Sequence, residues 1–154
     1  MADTIREKIL DAVTTALGEI TVANGYETTV EAVHRAGKTP VQVRVHPSII
    51  VYDLGDTSRR TIRLTYHHVM RLGIVGCAHE HDDVTRNDEL SKLMGDIRRK
   101  VAENETWSSN AIATIIDGSL PSEGESDQPR AMDRLGVSIT YRTKEADPLT
   151  VGTL

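Results

Sequence analysis

Residues 61–77 constrain the fold more than any other stretch of this chain. Ile62, Leu64, Tyr66, His68, Met70, Leu72 and Ile74 occupy one parity, and Arg63, Thr65, His67, Val69 and Arg71 occupy the other. Alternation of this kind puts the two sets on opposite faces of a β-strand. At about 3.3 Å per residue the strand would reach ~45 Å if continuous, against the five or six residues of an ordinary strand. Gly73 and Gly76 are expected to mark a bend or bulge within it. A strand this long in a chain of 154 residues should project beyond its own core. A projecting strand needs cover, which neighbouring subunits naturally supply.

The flanking segments supply the core. Over residues 4–17, Ile5, Ile9, Ala12, Val13, Ala16 and Leu17 recur at three- and four-residue steps and predict an amphipathic helix. Thr4 and Glu7 have capping-box spacing, and Gly18 suits a left-handed stop. Asn24-Gly25 predicts a tight hairpin-like turn after a short strand. Val41, Val43 and Val45 alternate as a strand that Pro47 interrupts, residues 49–52 read as a brief apolar strand, and residues 54–58 read as a turn. Asn87 or Asp88 is placed to cap a second helix, whose stripe is Leu90, Leu93, Met94, Ile97 and Val101. Residues 111–116 read as a strand, residues 118–128 as an acidic loop, and Leu135, Val137, Ile139 and Tyr141 as the buried parity of a last strand. The expected architecture is α+β: a mostly antiparallel sheet with two helices packed on one face, in one domain over residues 1–143, followed by an extended tail over 144–154.

Composition limits the function classes. The chain has no Phe, one Trp and four Tyr, a thin supply for stacking nucleic-acid bases. A net charge of −5 argues against broad phosphate binding. No apolar run approaches the ~18 residues of a spanning helix, and the mixed charges of residues 1–8 do not read as a signal, so cytosolic synthesis without a membrane partner is expected. Cys77 is the one cysteine, so no internal disulfide can hold the core.

Chemistry is sparse. Cys77, His79 and His81 would point to one side of an extended backbone, with Asp82 and Asp83 close by, and thiolate with imidazoles is a zinc donor set. Three ligands and a water would suit a small metal-dependent hydrolase, the one enzymatic alternative. The spacing is not that of common zinc motifs, and a polar rim leaving a strand explains the same residues. His67 and His68 must face opposite ways and cannot act on one substrate together. No nucleophile-elbow, phosphate-loop or His-Glu-x-x-His motif occurs, so the expectation is a non-enzyme with no catalytic residue and no cofactor. Arg59, Arg60, Arg63, His67 and Arg71 concentrate positive charge, while Asp82, Asp83, Glu123, Glu125 and Asp127 concentrate negative charge. A solvated face, an acidic docking partner and phosphate contact all remain open for the basic set. As interface candidates, the two sets would complement each other between adjacent copies.

Several segments together resemble a known family. They are the opening helix followed by Ile20-Thr-Val-Ala-Asn-Gly-Tyr-Glu-Thr-Thr-Val-Glu-Ala-Val, the long central strand, Asn87-Asp-Glu-Leu ahead of Leu93-Met-Gly-Asp-Ile, and Val137-Ser-Ile-Thr-Tyr-Arg-Thr with Asp147-Pro148. In this order, over residues 4–148, the chain resembles the tail terminator (tail completion) proteins of long-tailed bacteriophages. The resemblance implies a structural virion protein that closes as a ring, typically a hexamer, on the head-proximal end of the tail tube. It implies as partners further copies of itself, the tail tube protein, a head-side connector or stopper and neighbouring sheath or neck proteins. Genomic DNA would pass the lumen without sequence-specific binding. A head–tail connector or stopper of the neck is the alternative within the same class.

Overall fold

Thr4 sets the start of the first helix. Its hydroxyl accepts from the Glu7 amide at 3.2 Å, and α1 (Ile5–Gly18) follows with Ile5, Ile9, Leu10, Val13, Ala16 and Leu17 buried. Glu7 does not close the capping box; its carboxylate pairs instead with Arg35 at 2.7 Å. The computed structural model describes residues 3–35, 44–61, 64–79, 82–121 and 130–152. The left-handed stop falls on Gly25 and not on Gly18: a 3-10 turn, Val22–Asn24, ends there at φ 87°, where the sequence suggested a hairpin. Asp96, buried in the second helix, clamps this turn by accepting from the Thr28 amide at 2.8 Å and the Thr28 hydroxyl at 2.7 Å.

The strands are β1 (Ala32–Arg35), β2 (Ser48–Arg60), β3 (Thr65–His79), β4 (Ala113–Pro121), β5 (Arg130–Lys144) and β6 (Asp147–Val151). Helix α2 (Asp83–Glu103) lies between β3 and β4 in the chain. The order across the sheet is β1-β2-β3-β5-β4, with β6 also on β5. Only the β1–β2 pair is parallel; the others are antiparallel. The fold is thus α+β, with a mixed sheet. One face of the sheet, here the inner face, carries Ile49, Val51, Met70, Leu72, Ile74, Leu135, Val137, Ile139 and Tyr141 into a single core with both helices. The α2 stripe is the expected one, with Leu93, Ile97 and Val101 almost wholly buried.

Several expectations are revised. The turn expected at residues 54–58 is a bulge within β2: Asp53 pairs with Leu72 and Asp56 with Met70, so Leu54 and Gly55 together oppose Arg71. Gly55 takes φ 91° there, and β2 continues to Arg60 before β3 begins at Thr65. Gly73 and Gly76 mark neither bend nor bulge, because β3 keeps an unbroken register with β5 from Thr65 to His79. Helix α2 starts earlier than Asn87: Asp82 accepts from the Thr85 amide at 3.1 Å and caps it. Part of the expected tail is β6, paired to the end of β5. Of the strand expected at 41–45, residues 41–43 lie outside the described residues, as do residues 122–128 of the acidic loop; residues 118–121 belong to β4.

Candidate functional site

Directly paired residues of neighbouring strands share a face, so the register assigns every side chain to one side of the sheet. The outer face, against which neither helix packs, carries Arg59 opposite His67 and His67 opposite Arg142 in one row across β2, β3 and β5. Arg142 Nε donates to His67 Nε2. Burial pushes the His67 pKa down, and the cations Arg142 and Arg59 push it the same way. The imidazole is a neutral acceptor, and the charge of the row resides on its two guanidinium groups.

Further along the same face, Arg71 stands opposite Ser138 and Arg134 opposite Val75. Between those rows Gly73, Gly136 and Gly118 form a bare strip across β3, β5 and β4. Arg134 lies over Gly73, where an added Cβ would sit 3.0 Å from its Nε, and Asp117 borders Gly136. Arg134 Nε is buried without a hydrogen-bond partner among the described residues. No carboxylate pairs with Arg59, Arg71, Arg134 or Arg142 among the described residues, whereas on the helical side Arg6 pairs with Asp53, Arg35 with Glu7 and Asp11, and Arg99 with Glu103. The outer face therefore holds four guanidinium groups with no carboxylate ion-paired to them among the described residues, the carboxylate of Asp117 being taken by the Ser138 hydroxyl at 2.5 Å. Leu54 and Ile115, exposed at 47% and 60%, flank it at the two sides of the sheet.

The sequence-level candidates divide. Arg59, His67 and Arg71 come together on this face. Arg60 takes the other parity, opposite Tyr66, and pairs with Glu145 at 2.8 Å. Asp82 is the α2 cap, its pKa held down by hydrogen bonds from the Thr85 hydroxyl and amide. Asp83 opens that helix. Arg63, His81, Glu123, Glu125 and Asp127 lie outside the described residues. Cys77 and His79 do share the outer face, but Cys77 is 1% exposed and packs with Ile50 and Val75, and the His79 ring stacks on His46 at 5.4 Å. No group of three His, Cys, Asp or Glu among the described residues is arranged to hold a metal ion.

His68 points to the inner face, as its parity requires. Its ring lies between those of Tyr66 and Tyr141, with centroids 6.1 and 4.6 Å away. Nδ1 meets the Ser58 hydroxyl at 2.7 Å and Nε2 the Thr143 hydroxyl at 2.9 Å. Tyr141 in turn donates to Asp56 at 3.0 Å, and Arg6 of α1 reaches Asp53 and Asp56. A serine hydroxyl on an imidazole has the first contact of a nucleophile–base pair. Here, however, the second nitrogen is held by another hydroxyl and the ring is fixed between two tyrosines. The arrangement ties the hairpin to α1 and β5.

Arg134 and Arg142 were not singled out in the sequence, although both fall on the polar parity of the last strand, and only the β3–β5 register puts Arg142 against His67. Comparison with protein-family models finds none that matches this chain, and a search of curated proteins finds no match.

Proposed function

We propose that this chain is a structural subunit of a phage tail, which closes as a ring on the head-proximal end of the tail tube, stops tube growth and offers a surface to the head-side connector. The family resemblance suggests the role. The observation that best supports it is the contrast within β2, where Ser48–Val51 is buried and residues 53–60 are exposed. Residues 57–60, about 13 Å at ~3.3 Å per residue, run past the ion pairs that Arg6 of α1 makes with Asp53 and Asp56. In this reading the outer half of the β2–β3 hairpin projects toward adjacent copies. The outer sheet face, with four arginines and no helix, is further surface left for a protein contact. Binding between different patches on successive copies gives a closed ring when the rotation closes.

Electron micrographs of the purified protein in projection test the reading, with closed rings as the expected result. Pelleting with isolated tail tubes separates the terminator role from that of a connector, which would bind the head-side portal instead. Phage lacking the protein should make tails of uncontrolled length or tails that cannot join heads; normal particles would sink the assignment.

A further inference from the structure

We infer that the Arg59–His67–Arg142 row is a binding site for a phosphate dianion, free or as a monoester, held over the imidazole by the two guanidinium groups. The site does not depend on the ring reading above.

The register builds the site. Arg59 lies one strand from His67 on β2, and Arg142 lies one strand from it on β5. The two arginines therefore stand about 10 Å apart at Cα, twice the spacing of neighbouring strands, with the imidazole between them. Arg142 Nε donates to His67 Nε2, which fixes the direction of that guanidinium and leaves its terminal nitrogens without a hydrogen bond among the described residues. A neutral imidazole that accepts at Nε2 carries its proton on Nδ1, so the ring is itself a donor. Burial first, then Arg142 and Arg59, lower the His67 pKa, which locates both cations close to the ring. The carboxylates nearest in sequence are engaged elsewhere. Asp56 accepts from the Tyr141 hydroxyl at 3.0 Å, Glu145 pairs with Arg60, and Asp147 accepts from the Leu149 amide and the Thr150 hydroxyl.

Two fixed cations select the charge of the ligand. A carboxylate is matched by one guanidinium in a bidentate pair and leaves the second cation uncompensated. A phosphate monoester carries close to two charges and three strong acceptor oxygens, enough to accept from both arginines and the imidazole N–H at once. A nucleic acid fits less well. Its diesters carry one charge each, and a long polyanion meets the −5 of the whole chain, whereas a small dianion feels mainly the charges within about 8–10 Å, the screening length near physiological salt. Arg71, four residues along β3 and about 13 Å from His67, lies beyond that length and provides a control on the same face.

Titration with methyl phosphate tests the site by two-dimensional NMR at constant ionic strength and about pH 7.5, where a monoester carries close to two charges. The His67 ring signals and the Nε–H signals of Arg59 and Arg142 should shift and saturate. R59Q and R142Q should each weaken binding about 10-fold, and R71Q should leave it within about twofold. Arg59 is exposed, so R59Q carries the test by itself if R142Q disturbs the sheet. Acetate should bind about 10-fold more weakly than methyl phosphate. Inorganic phosphate titrated in parallel separates the sources: tighter binding of the inorganic ion supports a free phosphate ligand, and tighter binding of methyl phosphate supports an esterified one. Binding that R59Q leaves intact, or that R71Q weakens equally, overturns the inference. Acetate bound as tightly as methyl phosphate overturns it in favour of a protein carboxylate. Absence of any shift up to ~10 mM methyl phosphate also overturns it, and duplex DNA that binds in that case assigns the face to a polyanion.

Discussion

Gly152 has no room for one more carbon. A Cβ there would meet the Thr143 carbonyl oxygen at 2.9 Å and Thr65 Cγ2 at 3.0 Å, and backbone cannot step aside. At Gly76 the nearest atoms, Met94 Sδ at 2.8 Å and Leu93 Cδ2 at 3.1 Å, belong to side chains that can shift, the methionine being the more flexible. G152A should therefore lose about 1–3 kcal/mol and G76A less, an order that urea denaturation of the two variants checks. The histidines make a second residue-scale prediction. Burial lowers the pKa of His67, with Arg142 and Arg59 adding to it, and burial lowers that of His68 against the opposing pull of Asp56. A histidine depressed in the fold binds protons more readily when unfolded. Its contribution is complete above the unfolded value of about 6.5 and is lost as pH falls through the folded one. Carboxylates held low act later. Asp53 is one: burial pushes it up, but the hydrogen bonds from Arg6 and the Gly55 amide together with the nearby positive charges of Arg6 and Arg35 outweigh that, and Glu7, bonded to Arg35, is another. The melting temperature should thus begin to fall below about pH 6.5, before the carboxylates titrate near ~4, and H68Q should flatten that first decline.

Elements differ in how much of them a sequence exposes. Helix α1 was legible because both its signals are local: Thr4 caps it and the apolar residues recur along one face. The last strand was equally legible from Leu135, Val137, Ile139 and Tyr141, all buried. Leu54-Gly55-Asp56-Thr57-Ser58 misled because a bulge and a turn use the same residue types, and only pairing with β3 distinguishes them. Helix α2 was placed too late because Asn87 and Asp82 are both good caps, and the choice depends on where β3 ends. The candidate surface was half legible. Parity gave His67 and Arg71 their common face, while Arg59 joined them only through the β2–β3 register, and Arg142 through the β3–β5 register that pairs it with His67, 75 residues away in sequence. The bulge itself can be tested. Gly55 holds φ 91° with nothing within 4 Å of a Cβ, so the backbone conformation alone decides the outcome. G55A should cost about 1–2 kcal/mol, and a two-dimensional NMR spectrum should confine the shifts to the hairpin around Leu54 and Arg71.

At the scale of the whole molecule, both helices and the inner sheet face form one core, while charge is arranged along the length of the sheet on its outer side. The residues that form the core and those that carry the outer-face charge are therefore separate sets. The burial of Cys77 has its own use. It is the only sulfhydryl in the chain, 1% exposed on β3 between Ser48 of β2 and Met132 of β5. Its side chain stands on the outer face among Ile50, Val75, Tyr52 and Met132, so an alkylating reagent reaches it only when that packing opens, and labelling should proceed at the rate, or in proportion to the population, of that opening. Followed against urea by intact mass, it should give the same free energy as a spectroscopic melt; fast labelling of the native chain would show that the packing over this face opens without global unfolding. The lone thiol thus serves as a built-in clock, already in place without mutation, for how often the outer packing over this sheet opens.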